Sequence, residues 1–181
     1  MTTAIYTGSF DPITLGHLNM IKRASRVFDK LIVCIMFNKD KKPLFTQEER
    51  LRQVRLVTAR FPNVEVDKSD LLVAEYARLR GAGVIVRGLR AVSDYEKECQ
   101  MALINKRLYP ELETFFLAAS EKYMYLSSSA VKELAMFGAD LSAFAPREII
   151  GEIEAKFKHE RTETDHGKRD QGTHRPAGYL D

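Results

Sequence analysis

The sequence predicts an α/β fold: a Rossmann-like, doubly wound parallel sheet of five strands, with helices on both faces, in a single domain. Short apolar runs alternate with segments of helical period along the chain. One run, Leu31 to Phe37 (LIVCIMF), is almost wholly apolar, as expected for a strand covered on both faces. Glycines, prolines and capping residues fall at the junctions between runs.

The elements follow in order. Ala4 to Gly8 is a first strand, broken by the glycine and proline after it. A helix is expected from Gly16, because His17, Ile21, Ala24 and Phe28 recur at helical spacing. After the second strand, Thr46 and Glu49 form a capping box for a helix whose inner stripe is Leu51, Val54, Thr58 and Phe61. Val64 to Val66 is a brief strand, and Leu71 to Leu79 is a helix stopped near Gly81 and Gly83. Val84 to Val86 is a fourth strand, ending in a turn, Arg87-Gly88-Leu89-Arg90. Ser93 and Glu96 read as a second capping box, opening a helix that runs to about Tyr109. Thr114 to Ala118 is the fifth strand, followed by helices from Ser128 to Phe137 and from Pro146 to about Phe157. No repeat or linker divides residues 1–158. From residue 159 to 181 apolar residues nearly vanish, so a charged, disordered tail is expected. His159, His166 and His174 lie there at spacings that match no standard metal-ligand pattern, and no metal-binding residue is predicted.

Composition narrows the function. The 181-residue chain is 45% hydrophobic, which is globular, and its formal charge is +3. That imbalance is too small to argue for nucleic acid and leaves anionic small molecules open. No apolar run approaches membrane-spanning length. The N-terminus lacks the shape of a signal peptide, and Cys34 and Cys99 form no CxxC pair. A cytoplasmic setting is expected.

The chemically suggestive residues all follow predicted strands, where open parallel sheets bind ligands. In YTGSFDPITLGHLNMI (residues 6–21), Gly8 and Ser9 let a ligand approach the backbone, Pro12 fixes the turn, and the helix N-terminus favours an anion. A protonated His17 in that first turn is disfavoured by the helix dipole unless a phosphate lies opposite. Lys39 to Pro43 gathers cations on a loop, which reads either as solvated charge or as an anion site. Arg87 and Arg90 flank Gly88 and could grip phosphate oxygens. Ser127, Ser128 and Ser129 begin a helix, as caps or as a second phosphate cradle.

The string T-G-S-F-D-P-I-T-x-G-H resembles the signature of the nucleotidyltransferase superfamily, whose hallmark is a [T/H]-x-G-H turn. With Arg87-Gly88-Leu89-Arg90 and Ser127-Ser128-Ser129-Ala130-Val131-Lys132 it is similar to the phosphopantetheine adenylyltransferases, from about Ala4 to Phe157. Membership implies transfer of the adenylyl group of ATP to 4′-phosphopantetheine, giving dephospho-coenzyme A and pyrophosphate. Carried over by position, His17, Ser9, Lys41, Arg90 and Ser128 form the catalytic set, with His17 donating to the α-phosphate and Lys41 holding the attacking phosphate. Ser9, Lys41, Val73 and Arg87 would bind 4′-phosphopantetheine. Ser9, Phe10, His17, Gly88, Leu89, Arg90 and Glu98 would bind ATP, together with Tyr123, Met124, Tyr125, Leu126, Ser127, Ser128 and Ser129. The resemblance also implies Mg²⁺ carried mainly by the ATP phosphates, a homohexamer built as a dimer of trimers, and feedback inhibition by coenzyme A.

Two departures are mild: Ser9 stands where some members have Thr, and Tyr123 where others have Trp. The rival is an adenylyltransferase acting on nicotinate or nicotinamide mononucleotide. Those enzymes typically carry His at the position of Thr14 and lack the Arg87 to Arg90 string. A nucleotide-binding regulator with a degenerate site is disfavoured by intact His17, Lys41, Arg87 and Arg90.

Overall fold

The computed structural model describes residues 1–37 and 42–169, the last eleven of these (159–169) as backbone alone. The order is β1 (Thr3–Gly8), α1 (Leu15–Ala24), β2 (Lys30–Met36), α2 (Gln47–Thr58), β3 (Val64–Ser69), α3 (Val73–Leu79), β4 (Val84–Leu89), α4 (Val92–Leu108) and β5 (Glu113–Ala118). A 3₁₀ turn (Glu121–Tyr123), α5 (Ser128–Met136) and α6 (Arg147–Arg169) complete it. The five strands are parallel, in spatial order β3-β2-β1-β4-β5. Connections leave β1 toward one edge and β4 toward the other. The order therefore reverses between β1 and β4, and a crevice opens beyond their C-terminal ends.

Alternation along the strands fills two cores. Ala4 and Tyr6 of β1 join Leu31, Val33 and Ile35 of β2 and Val86 of β4 against α1, α2, α5 and α6. Ile5, Ile32, Cys34 and Ile85 face the opposite way, onto Ala74, Tyr76 and Ala77 of α3. Burying each such Ile or Val contributes about 1.5–3 kcal/mol. The expected Thr46–Glu49 capping box is present, with both reciprocal hydrogen bonds made.

The structure corrects four sequence expectations. α4 starts at Val92 with Ala91 at its N-cap, so Ser93 and Glu96 form no capping box. Asp94 does that work instead, its carboxylate accepting the Arg90 backbone N–H at 3.1 Å. Arg87, Gly88 and Leu89 lie in β4, paired with Phe116, Leu117 and Ala118 of β5, so only Arg90 belongs to the turn. α1 opens at Leu15, with Thr14 as N-cap, one residue before the expected Gly16. α6 runs through Arg169, past the expected stop at Phe157. Extending an existing helix adds a bond per residue without a new nucleus, and Glu and Arg propagate it well despite the lack of apolar residues. Of the expected disordered tail, residues 170–181 lie outside the described residues.

Candidate functional site

A cavity of about 420 Å³ occupies the crevice beyond β1 and β4. Its walls come from the end of β1 (Tyr6 to Ser9), the start of α1, the end of β4 with Arg90, and the start of α5 (Ser127 to Ser129). Among the described residues its lining includes His17, Arg87 and Arg90 and no Asp or Glu. A concave wall of donors and cations without carboxylates suits a polyanion.

The turn after β1 is tightly built. A side chain at Gly8 would bring its Cβ within 3.0 Å of the Phe10 ring. Phe10 adopts a left-handed backbone (φ 46°) and sinks its ring into the core, edge-on to Tyr6 and His17. The ring thus backs His17 and does not itself line the cavity. Thr14 then caps α1, and His17 occupies the third helical position. The Thr14 backbone N–H donates to His17 Nδ1 at 3.1 Å, while the His17 N–H donates to Thr14 Oγ1 at 3.2 Å. An accepting Nδ1 is unprotonated, so the proton of the neutral ring sits on Nε2. Burial, reinforced by the nearby charge of Arg90, lowers the imidazole to about 4. His17 is therefore a neutral Nε2–H donor on the cavity wall.

Both arginines are braced from behind by α4. Glu98 accepts from Arg87 Nε and Nη2 at 2.6 and 2.7 Å, while Arg87 Nη1 donates to the carbonyl and hydroxyl of Thr7 at 3.0 and 3.2 Å. Burial opposes the Arg87 charge, but Glu98 outweighs it and holds the guanidinium above its ordinary value. Asp94, one turn earlier, accepts from Arg90 Nε at 3.1 Å and Nη2 at 3.3 Å, and Arg90 Nη1 reaches the Leu126 carbonyl at 3.3 Å. Each carboxylate fixes a cation in place and stays out of the cavity lining.

The structure sorts the remaining site residues. Ser9, His17, Arg87, Gly88, Arg90, Tyr123, Leu126, Ser127, Ser128 and Ser129 are brought together around the cavity. Ser127 caps α5, accepting from the Ala130 N–H at 3.1 Å. The Ser128 hydroxyl donates to the Pro12 carbonyl at 2.8 Å, tying α5 to the β1 turn. Glu98 reaches the site through Arg87. Met124 and Tyr125 are exposed beside the cavity wall, and Leu89 ends β4, its carbonyl accepting from the Ala119 N–H. Val73 packs against the second core at the start of α3, away from the cavity lining. Lys41 lies outside the described residues.

Besides Lys42, from the cation-rich loop noted in the sequence, residues that the sequence did not single out also converge here. A side cavity of about 210 Å³ shares Ser9, Ser128 and Ser129 with the main one and adds Asp11, Lys42, Arg50 and Lys132. Asp11 and Lys132 stand inside the quoted motif strings, but nothing in their spacing announces their contact. Among the described residues no group of three His, Cys, Asp or Glu side chains could hold a metal ion. Asp11 already commits both oxygens to backbone N–H groups and Lys132, so its donor set does not fit a protein-held magnesium.

A cytidylyltransferase-like family model matches residues 5–134. A phosphopantetheine adenylyltransferase of Caldanaerobacter subterraneus is 53% identical over 158 residues, covering 87% of this chain and 99% of the relative. Its counterpart in Heliobacterium modesticaldum is 49% identical over 157 residues, covering 87% and 94%. Among solved structures, the nicotinic acid mononucleotide adenylyltransferase of Plasmodium falciparum, complexed with NaAD, superposes with a TM-score of 0.60 at 13% identity, covering 88% of this chain and 96% of that one. A Vibrio parahaemolyticus protein assigned as a nicotinate-nucleotide adenylyltransferase gives 0.62 at 18%, covering 87% and 97%. At such identities the likeness carries the Rossmann-like fold alone. The chain belongs to the cytidylyltransferase-like nucleotidyltransferases, within their phosphopantetheine adenylyltransferase branch.

Proposed function

We infer that this chain transfers the adenylyl group of ATP to the phosphate of 4′-phosphopantetheine, giving dephospho-coenzyme A and pyrophosphate. The observation that carries it is the cavity wall: a neutral His17 with its proton on Nε2, two braced arginines, a helix start and, among the described residues, no carboxylate.

The reaction asks for no more than this wall offers. An oxygen of the acceptor phosphate, already ionised at neutral pH, forms a bond to the α-phosphorus of ATP. The bond from that phosphorus to the bridging oxygen breaks, and pyrophosphate leaves with the electron pair. No proton is removed from the nucleophile, so no general base is required. The work is to align two anions that repel each other and to stabilise charge on the phosphoryl oxygens. His17 Nε2–H donates to an α-phosphate oxygen and keeps its proton throughout. Arg90 and the N–H groups at the start of α5 face the departing phosphates, and Ser9 and Arg87 face the acceptor. Magnesium, for which the described residues gather no group of ligands, would arrive on the ATP phosphates.

The same kinship supports a homohexamer and feedback inhibition by coenzyme A. α4 exposes Val92, Tyr95, Met101, Leu103, Ile104 and Leu108, an apolar surface suited to association between copies. No helix among the described residues is long and apolar enough to cross a membrane, and Cys34 and Cys99 are free thiols, consistent with the proposed cytoplasmic setting.

The test is pyrophosphate release with ATP and magnesium, comparing 4′-phosphopantetheine with nicotinate mononucleotide, with products identified by mass. Dephospho-coenzyme A formed with the first substrate alone is expected. Turnover with the mononucleotide alone would overturn the acceptor assignment.

A further inference from the structure

Asp11 is 6% exposed and sits on the turn between β1 and α1. Its Oδ1 accepts the Phe45 N–H at 2.9 Å, and its Oδ2 accepts the Leu44 N–H at 3.0 Å. Lys132 Nζ, from α5, donates to the same Oδ2 at 3.2 Å. One buried carboxylate therefore joins three separate segments: the β1 turn, the loop leading into α2, and α5. A buried carboxylate is costly unless it is paired and hydrogen-bonded, and here three donors satisfy both of its oxygens.

Each segment it joins carries groups of the anion site. Lys42 and Pro43, immediately before Leu44, line the side cavity. Lys132 lines it too, as do Ser128 and Ser129 from the same helix. On the β1 turn, Ser9 lines both cavities. Arg50, itself 4% exposed, grips the same turn from α2, its Nη1 donating to the Ser9 carbonyl at 2.8 Å. Lys42, Arg50 and Lys132 against Asp11 leave this side cavity with an excess of positive charge. Without the carboxylate, Lys132 would lose its anchor, and the loop bearing Lys42 would lose two of its backbone tethers.

Given the adenylyl transfer inferred above, we propose that Asp11 is a positioning residue, which locks the loop at Lys42 and the Lys132 ammonium onto the β1 turn so that the phosphate-facing groups are in register before substrate binds. It touches no reacting atom. It acts through Lys132 and through the backbone of Leu44 and Phe45.

The experiment compares wild type, Asp11→Asn, Lys132→Met and the double variant in the full chain. Amide hydrogen exchange at Leu44 and Phe45 is measured first, without substrate. Asp11→Asn is expected to speed exchange there by about tenfold or more while the sheet amides keep their protection. kcat and KM for both substrates follow. Asp11→Asn is expected to lower kcat/KM for the phosphate acceptor by about tenfold to a hundredfold, with a smaller change in KM for ATP. The double variant is expected to lose little more than Asp11→Asn alone, because both changes break one linkage. Unchanged exchange at Leu44 and Phe45, or losses that multiply in the double variant, would overturn the proposal. Should Asp11→Asn fail to fold, Lys132→Met decides, and wild-type kcat/KM in that variant counts against the role. A wild type that adenylylates no acceptor refutes the functional reading but leaves the exchange result to judge the tether.

Discussion

Thr14 and His17 hold each other: the Thr14 N–H donates to Nδ1 at 3.1 Å, and the His17 N–H returns to Thr14 Oγ1 at 3.2 Å. Glu or Gln usually fills that third helical position in a capping box. With histidine there, the hydrogen bonds that start a helix also choose a tautomer. His17 lines the cavity, so one contact sets both the start of the helix and the tautomer presented there. Thr14→Ala should remove the hydroxyl half of the box. A loss of about 1 kcal/mol in denaturant unfolding is expected, together with a lower kcat at nearly unchanged KM for ATP. A variant that loses stability but keeps full kcat would separate the cap from catalysis.

The depressed His17 value makes stability depend on pH with a definite sign. The folded value of about 4 lies below the ordinary 6.5, so the unfolded chain binds this proton more readily. The neutral ring is fully accommodated above about pH 6.5. Stability is then lost as pH falls from there toward 4, by on the order of 3 kcal/mol when the shift is fully expressed. Chemical denaturation of wild type and His17→Gln at pH 7 and pH 4.5 checks this. The wild type should lose more stability than the variant across that interval; parallel losses would show that His17 is not the group responsible.

Arg87 should act on the acceptor more than on ATP. Arg87→Ala is expected to raise KM for 4′-phosphopantetheine by about tenfold to a hundredfold, the worth of a charge-assisted contact. The change in KM for ATP should be smaller. Because Glu98 braces Arg87 at 2.6 and 2.7 Å, Glu98→Ala should reproduce part of the same pattern. A larger effect on ATP than on the acceptor would place Arg87 on the other substrate.

Gly8→Ala tests the packing behind the histidine. The new Cβ would meet the Phe10 ring at 3.0 Å, and that ring lies 5.2 Å from the imidazole, centroid to centroid. Overpacking of this kind costs about 1–3 kcal/mol. A drop in both thermal stability and kcat is expected, and a variant with neither would mean the ring yields freely.

Much of this was legible in the sequence, for reasons that differ by residue. Leu31 to Phe37 is apolar enough to mark a strand buried on both faces, and Thr46 with Glu49 is a local signal that needs no distant partner. The strand-end positions of Ser9, His17, Arg90 and Ser127 to Ser129 followed from the βα alternation, which brings strand ends to one edge of the sheet. What escaped depends on long-range pairing. Arg87 to Leu89 look like a turn until β5 pairs with them. Ser93 and Glu96 look like a cap until Asp94 accepts the Arg90 N–H. Asp11 meets partners 33, 34 and 121 residues away, separations that no local pattern encodes.

The central claim is that a neutral His17, held by Thr14, stabilises the transition state and not the bound ground state. Its most direct measurement is the single-turnover rate of adenylyl transfer by His17→Ala, with the ATP dissociation constant determined on the same sample. A rate lower by about two orders of magnitude or more, with ATP affinity within about threefold of wild type, is expected. Wild-type turnover in His17→Ala, or a loss confined to ATP affinity, would contradict it.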